Sequence, residues 1–293
     1  MSVPISISQR ILSSIYLPHH LGADEQVDDK AMLLPGGEFG RYDPFLMLAE
    51  DWFSAVGFDW HPHRGIETVT FVLDGQLEHR DNRGGHGVLG PGDAQWMTAG
   101  GGIIHSERAL EGKPVHTLQL WLNLPAAEKL TQAGYQDLKG AAMPVRQGRG
   151  FEARVFSGRS GEVIGPARNH VPVTMLDVRV EAGATFTQEI PAGDSGFLYV
   201  LAGEGRIGPE RQVVREGHVA HLSPRPERDG VTGLTATADR PLRFLLWTGR
   251  PLREPVVAYG PFVMNTREQI VQAFQDFQQG KFGPVPGHAG SVY

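Results

Sequence analysis

The chain has 293 residues, 40% hydrophobic and 20% charged, enough for one large core or two ordinary ones, which excludes general disorder. A net charge of −6 without any Lys/Arg-rich run disfavours direct nucleic-acid binding, and no apolar run approaches the roughly 20 residues that span a bilayer. With no cysteine there can be no disulfide, thiolate ligand or thiol nucleophile, and with no basic, apolar leader at the start a cytoplasmic location is expected.

Short apolar runs follow one another along the chain, each bounded by Gly, Pro, Asp or Asn: "FLMLA" from Phe45, "TVTFVLDG" from Thr68, "HTLQLWLNL" from His116 and "EARVFSG" from Glu152. The series continues with "VTMLDVRVEAG" from Val173, "GFLYVLAGEG" from Gly196, "HVAHL" from His218 and "PLRFLLWTG" from Pro241. Punctuation by 38 glycines and 21 prolines, without a fixed period, fits many strands joined by turns. Only "NTREQIVQAFQDFQQGKFG" near the end reads as a helix. Asn265 or Thr266 is its expected cap, Ile270, Ala273, Phe274 and Phe277 its apolar face, and Gly280 its stop. Residues 68–79 resemble 196–207 at an offset of 128, and residues 90–97 have a weaker echo in 215–222. The expectation is an all-β chain of two antiparallel barrel or jelly-roll domains with a short C-terminal helix, divided as 1–135 and 136–293.

Side chains two apart on a strand share a face, so His61 and His63 point together, and Glu67 keeps that parity if the strand is regular. About forty residues later His105 and Glu107 repeat the spacing. If the two segments are neighbours, three imidazoles and a carboxylate converge. That donor set suits a borderline divalent metal and leaves positions for water, substrate or dioxygen.

The stretches "DPFLML" (43–48), "HPHRGIETVTFVLDG" (61–75), "GPGDAQWMTAGGGIIHSE" (90–107), "LQLWLNLP" (118–125) and "GPFVMNTREQI" (260–270) resemble the pirin family of the cupin superfamily. The resemblance spans about residues 30–285 and implies a bicupin. It implies one divalent metal, most simply iron(II), with nickel, copper, manganese, cobalt or zinc as alternatives. The implied ligands are His61, His63, His105 and Glu107. Glu67, which the general cupin pattern would make a ligand, becomes a support that fixes a histidine tautomer or pairs with Arg64, or else an alternative ligand. Glu107 is also the implied catalytic base, and Phe45 and Phe58 are the expected lining of a substrate mouth.

Several pirin-like proteins are quercetin 2,3-dioxygenases, so the implied activity is dioxygen-dependent cleavage of a flavonol with release of carbon monoxide. Others are regulators that bind protein partners, and a metal-dependent binding module is the competing expectation. At the repeat offset His61 and His63 fall on Glu189 and Pro191, so the second unit should lack the metal. His218 and His221 read as structural or surface residues, and His79 and His86 as polar residues flanking a hairpin. No G-x-S-x-G elbow is present, and "LAGEGRIG" ends a strand without opening a helix, so it reads as a turn and not a phosphate cradle.

Overall fold

A computed structural model describes residues 7–54, 57–110, 113–223 and 229–286. They form two compact units, each discontinuous in sequence: His19–Ala142 with Leu252–Tyr293, and Met1–Pro18 with Met143–Pro251. This differs from a cut at 135/136. The N-terminal strand Leu12–Tyr16 pairs with Val219–Leu222 in the second unit, and the C-terminal residues Phe262, Ile270 and Ala273 pack with Ile104 in the first.

In the first unit an antiparallel six-stranded sheet runs in the order Gly134–Leu138, Ala94–Thr98, Ile66–Asp74, Val115–Asn123, Phe45–Phe53, Asp29–Leu34. A four-stranded sheet carries Phe58–His63, Ile103–Ala109, Leu77–Asp81 and His86–Leu89. The chain then returns as the hairpin Val257–Tyr259/Phe262–Met264 and the helix Arg267–Gln278. Thr266 caps that helix in a full capping box with Gln269, and Gly280 follows its end at φ +71°. Its buried Ile270 and Ala273 pack with Ile104, Phe262, Met264 and Phe282, so the helix belongs with the H-x-E strand and not with the second repeat.

The second unit pairs a seven-stranded sheet, extended by the N-terminal strand Leu12–Tyr16 beside Val219–Leu222, with a four-stranded sheet begun by Thr185–Pro191 and Val231–Ala238. Arg10 is wholly buried, and its guanidinium donates to Thr232 Oγ1 and to the carbonyls of Pro191, Ala192, Asp194 and Ser223. Five acceptors around its three nitrogens, three of them sharing Nη2, compensate the burial of that cation. Among the described residues the sheets remain separate and do not close into a hydrogen-bonded barrel.

The second unit's interior is an apolar cluster that includes Phe186, Ile190, Leu198, Leu234, Ala236 and Phe244. The strand Thr185–Pro191 buries alternate residues Phe186, Gln188 and Ile190 and turns Glu189 and Pro191 outward. The positions that face the interior as the metal-type histidines do are therefore Gln188 and Ile190, one residue away from the sequence offset. The first unit differs: Asp51, Thr70, His79, His105, Glu107 and Thr117 are all buried in it. Such polar interiors are costly unless partnered or used.

Candidate metal centre

The strands Phe58–His63 and Ile103–Ala109 are antiparallel, with His61 opposite His105 and His63 opposite Ile103. The pleat turns the three imidazoles to one side, and their candidate ligand atoms all lie within 4.8 Å of one another. Ring centroids are 4.2 Å apart for His61–His105, 4.8 Å for His61–His63 and 5.1 Å for His63–His105.

Each ring is held through its Nδ1. His61 Nδ1 is 2.7 Å from the Asp59 carbonyl and His63 Nδ1 is 3.3 Å from the Pro261 carbonyl. A carbonyl only accepts, so both Nδ1 atoms carry the hydrogen and both Nε2 atoms present a lone pair. His105 Nδ1 is 3.1 Å from His79 Nε2, while His105 Nε2 is buried with no hydrogen-bond partner. Trp121 sets its ring edge-to-face with His63 at 5.0 Å. Burial pushes the imidazole pKa of His61 down, and those of His63 and His105 well down, with repulsion from the neighbouring histidines adding to the latter two. Neutral rings with converging lone pairs, one of them an orphaned buried nitrogen, fit a borderline divalent cation.

Glu107 stands outside this group. Its Oε1 lies 2.9 Å from Thr70 Oγ1 and its Oε2 2.9 Å from Gln119 Nε2, while Thr70 Oγ1 is also 3.0 Å from Gln119 Oε1. Burial raises the carboxyl to about 7, with nearby Asp51 adding to the rise and Thr70 and Gln119 opposing it. A protonated Glu107 closes the ring: it donates to Thr70, Thr70 donates to Gln119, and the Gln119 amide donates back. The expected fourth ligand is thus held off the imidazoles by a cradle that accommodates its neutral form, since an ionised carboxylate here is buried without a cation.

Glu67 is fully buried, and its Oε1 accepts from Thr98 Oγ1 at 2.8 Å. Two of the roles expected of it, fixing a histidine Nδ1 and pairing with Arg64, are filled by other groups. All three imidazole Nδ1 atoms have other partners, and Arg64 pairs with Asp276 at 2.8 Å, donates to the Gly101 carbonyl and stacks on Phe282 at 4.6 Å. Phe45 is 1% exposed and offers no accessible face to a substrate, because its strand lies inside the six-stranded sheet. Phe58 is half-buried, edge-on to Phe53 at 5.7 Å and 6.2 Å from the His61 ring.

Two supports escaped the sequence. His86 does behave as a surface residue, paired with Glu78 at 2.9 Å, but His79 is fully buried on the strand Leu77–Asp81 and reaches His105. The alternation of "LEHRD", which buries Leu77, His79 and Asp81, was the available signal. The Pro261 carbonyl comes from 198 residues beyond His63, and a backbone group has no signature in a sequence pattern.

The family model described as Pirin matches residues 33–122, and the one described as Pirin C-terminal cupin domain matches residues 175–283. Human pirin is 40% identical over 250 residues, covering 84% of this chain and 85% of its own. A Pseudomonas aeruginosa protein provisionally named quercetin 2,3-dioxygenase is 42% identical over 234 residues, covering 77% of this chain and 79% of its own. A crystal structure of quercetin 2,3-dioxygenase from Acinetobacter baumannii, 31% identical, superposes with a TM-score of 0.82 over 98% of this chain and 100% of that one.

Proposed function

Because the chain belongs to the pirin family, we propose that it is a metal-dependent dioxygenase that cleaves flavonols such as quercetin, incorporating both atoms of dioxygen and releasing carbon monoxide. The observation that carries this reading is the convergence of His61, His63 and His105 with every Nδ1 already engaged. The likeness to proteins named for that reaction, over most of the chain, supports the substrate class.

One divalent transition metal, iron(II) in preference to nickel, copper, manganese, cobalt or zinc, would be held by the three imidazoles and would supply a Lewis acid and a partner for dioxygen. The Glu107 carboxyl, which burial raises to about 7, would as the carboxylate take the proton of the flavonol 3-hydroxyl. Thr70 and Gln119 hold that carboxyl in place. Turning away from them, Glu107 would add a carboxylate to the imidazoles, which is its role as fourth ligand. Phe58 offers a half-buried ring near His61 to a planar phenol. The apolar lining at Phe186, Ile190, Leu234 and Ala236 in the second unit supports one metal per chain.

The test is to quantify the metal of purified protein and follow quercetin absorbance under air and under argon, with carbon monoxide measured in the headspace. Oxygen-dependent loss of quercetin with carbon monoxide, above a metal-stripped control, is the expected result. Stoichiometric metal without turnover would replace this reading with a metal-dependent protein-binding module, and oxygen-independent conversion would point to an isomerase.

A further inference from the structure

We infer that His79 is a positioning residue for the metal centre: it accepts the Nδ1 hydrogen of His105 and so delivers the His105 Nε2 lone pair to the ion. The inference rests on the reading that the three imidazoles hold a metal. His79 Nε2 and His105 Nδ1 are 3.1 Å apart, with centroids at 5.1 Å and planes inclined by 42°. Two neutral imidazoles in contact share one hydrogen, and there are only two ways to place it. If His79 donated, the remaining hydrogen of His105 would sit on Nε2, a buried atom with no acceptor, and would remove the lone pair a metal needs. If His105 donates, its Nε2 is bare, and the hydrogen of His79 moves to Nδ1, which is also buried without a partner. Each arrangement leaves one N–H and one lone pair without a partner, so the pair is nearly balanced until a cation on His105 Nε2 selects the second.

The surroundings of His79 keep it neutral. Burial lowers the His79 imidazole pKa to about 4, against the opposing pull of Asp81, opposite His105 in the ladder, and Asp137, so the ring is neutral and carries one hydrogen to share with His105. Asp81 Oδ1 is held by the backbone N–H groups of Arg83 and Gly85, and Asp137 Oδ1 by the Gln95 amide. Neither carboxylate hydrogen-bonds the His79 ring, whose Nδ1 has no partner. Tyr135 flanks the ring at 5.4 Å. Of the three supports behind the imidazoles, His79 is the one supplied by a side chain, and therefore the one that substitution can remove.

The experiment compares wild type, His79→Gln and His79→Met, each loaded with cobalt(II) in competition with a chelator, together with proton NMR of the imidazole N–H signals. Gln can place an amide oxygen near the Nε2 position, whereas Met offers bulk and only a weak acceptor. His79→Met is expected to lose about 10–100-fold in cobalt affinity and to shift or broaden the His105 N–H signal, with His79→Gln staying within about threefold of wild type and keeping that signal. Met binding as tightly as wild type, or Gln falling as far as Met, overturns the positioning role while leaving the metal reading intact. Absence of cobalt uptake by wild type overturns both. Should the Met variant lack native near-ultraviolet circular dichroism, the Gln variant decides alone: wild-type affinity with the N–H signal kept supports the role, and a tenfold loss overturns it.

Discussion

Gly65, between the H-x-H-R run and the strand it leads into, sits at φ +79°, where a Cβ would come within 1.9 Å of the Val263 carbonyl oxygen and 2.9 Å of Met264 Sδ. Gly22 has the same φ of +79° and nothing within 4 Å of its Cβ position. Gly22→Ala therefore isolates the cost of a left-handed alanine, about 1 kcal/mol. Gly65→Ala bears that cost and must also move Val263 by roughly 1.5 Å to reach an ordinary contact. The displacement breaks the Lys129 Nζ bond to Val263 O (2.9 Å), worth about 1.5–3 kcal/mol for a charged donor, and the Val263 N–H bond to Arg64 O (3.1 Å), worth about 1 kcal/mol. The expected total is on the order of 4 kcal/mol. It is read as the difference in urea unfolding free energy of metal-free protein, followed by tryptophan fluorescence. The same movement carries away the Pro261 carbonyl, so cobalt affinity should fall in Gly65→Ala and not in Gly22→Ala. If the two alanine variants agree within about 1 kcal/mol, the hairpin yields to the methyl and the reasoning from close approach is wrong.

Glu107→Gln should keep most of its metal in elemental analysis and lose flavonol cleavage, since the amide cannot take the hydroxyl proton; undiminished turnover would remove Glu107 from the chemistry. Asp276, whose hydrogen bonds from Lys281 and Arg64 hold its carboxyl well below the usual range, stabilises the fold above pH ~4 and loses that contribution as pH falls further. Asp276→Asn should therefore cost about 2 kcal/mol at pH 7 and flatten the acid limb of a plot of urea midpoint against pH; an unchanged limb would show that the pair with Arg64 contributes nothing. Burial raises Asp51 to about 6, against the opposing pull of Lys30 at 3.7 Å. The folded chain keeps that proton where the unfolded chain releases it, so stability falls as pH rises from ~4 to ~6. Asp51→Asn should remove about 2 kcal/mol of that descent in the same titration, and an unaltered slope would contradict it.

Much of the site was legible because strand parity is local: residues two apart on "HPH" and "HSE" share a face whatever the rest of the chain does. The helix cap was legible for the same reason, as Thr266 and Gln269 carry their own hydrogen-bonding logic. What escaped depends on pairings far apart in sequence. Alternation in "LEHRD" hinted that His79 is buried, but its contact with His105 required knowing that the two strands pair, and the helix could be assigned to its unit only by knowing that Ile104 receives it. Glu189 and Pro191, the positions at the repeat offset, face outward, and a similarity offset carries no information about which side of a strand is buried. Glu107 was legible as a chemical group but not in its resting place, which is set by burial and by Thr70 and Gln119 rather than by spacing.

The bond between His63 and the Pro261 carbonyl also bears on the order in which the protein is made. A ribosome adding roughly 5–20 residues per second needs about 10–40 s to travel the 198 residues between them. From the addition of His105 onward the emerging chain carries His61, His63 and His105 while the carbonyl that orients one of them, and the carboxylate that pairs with Arg64, do not yet exist. A stalled nascent chain ending before Pro261 should take up cobalt more weakly than the released protein.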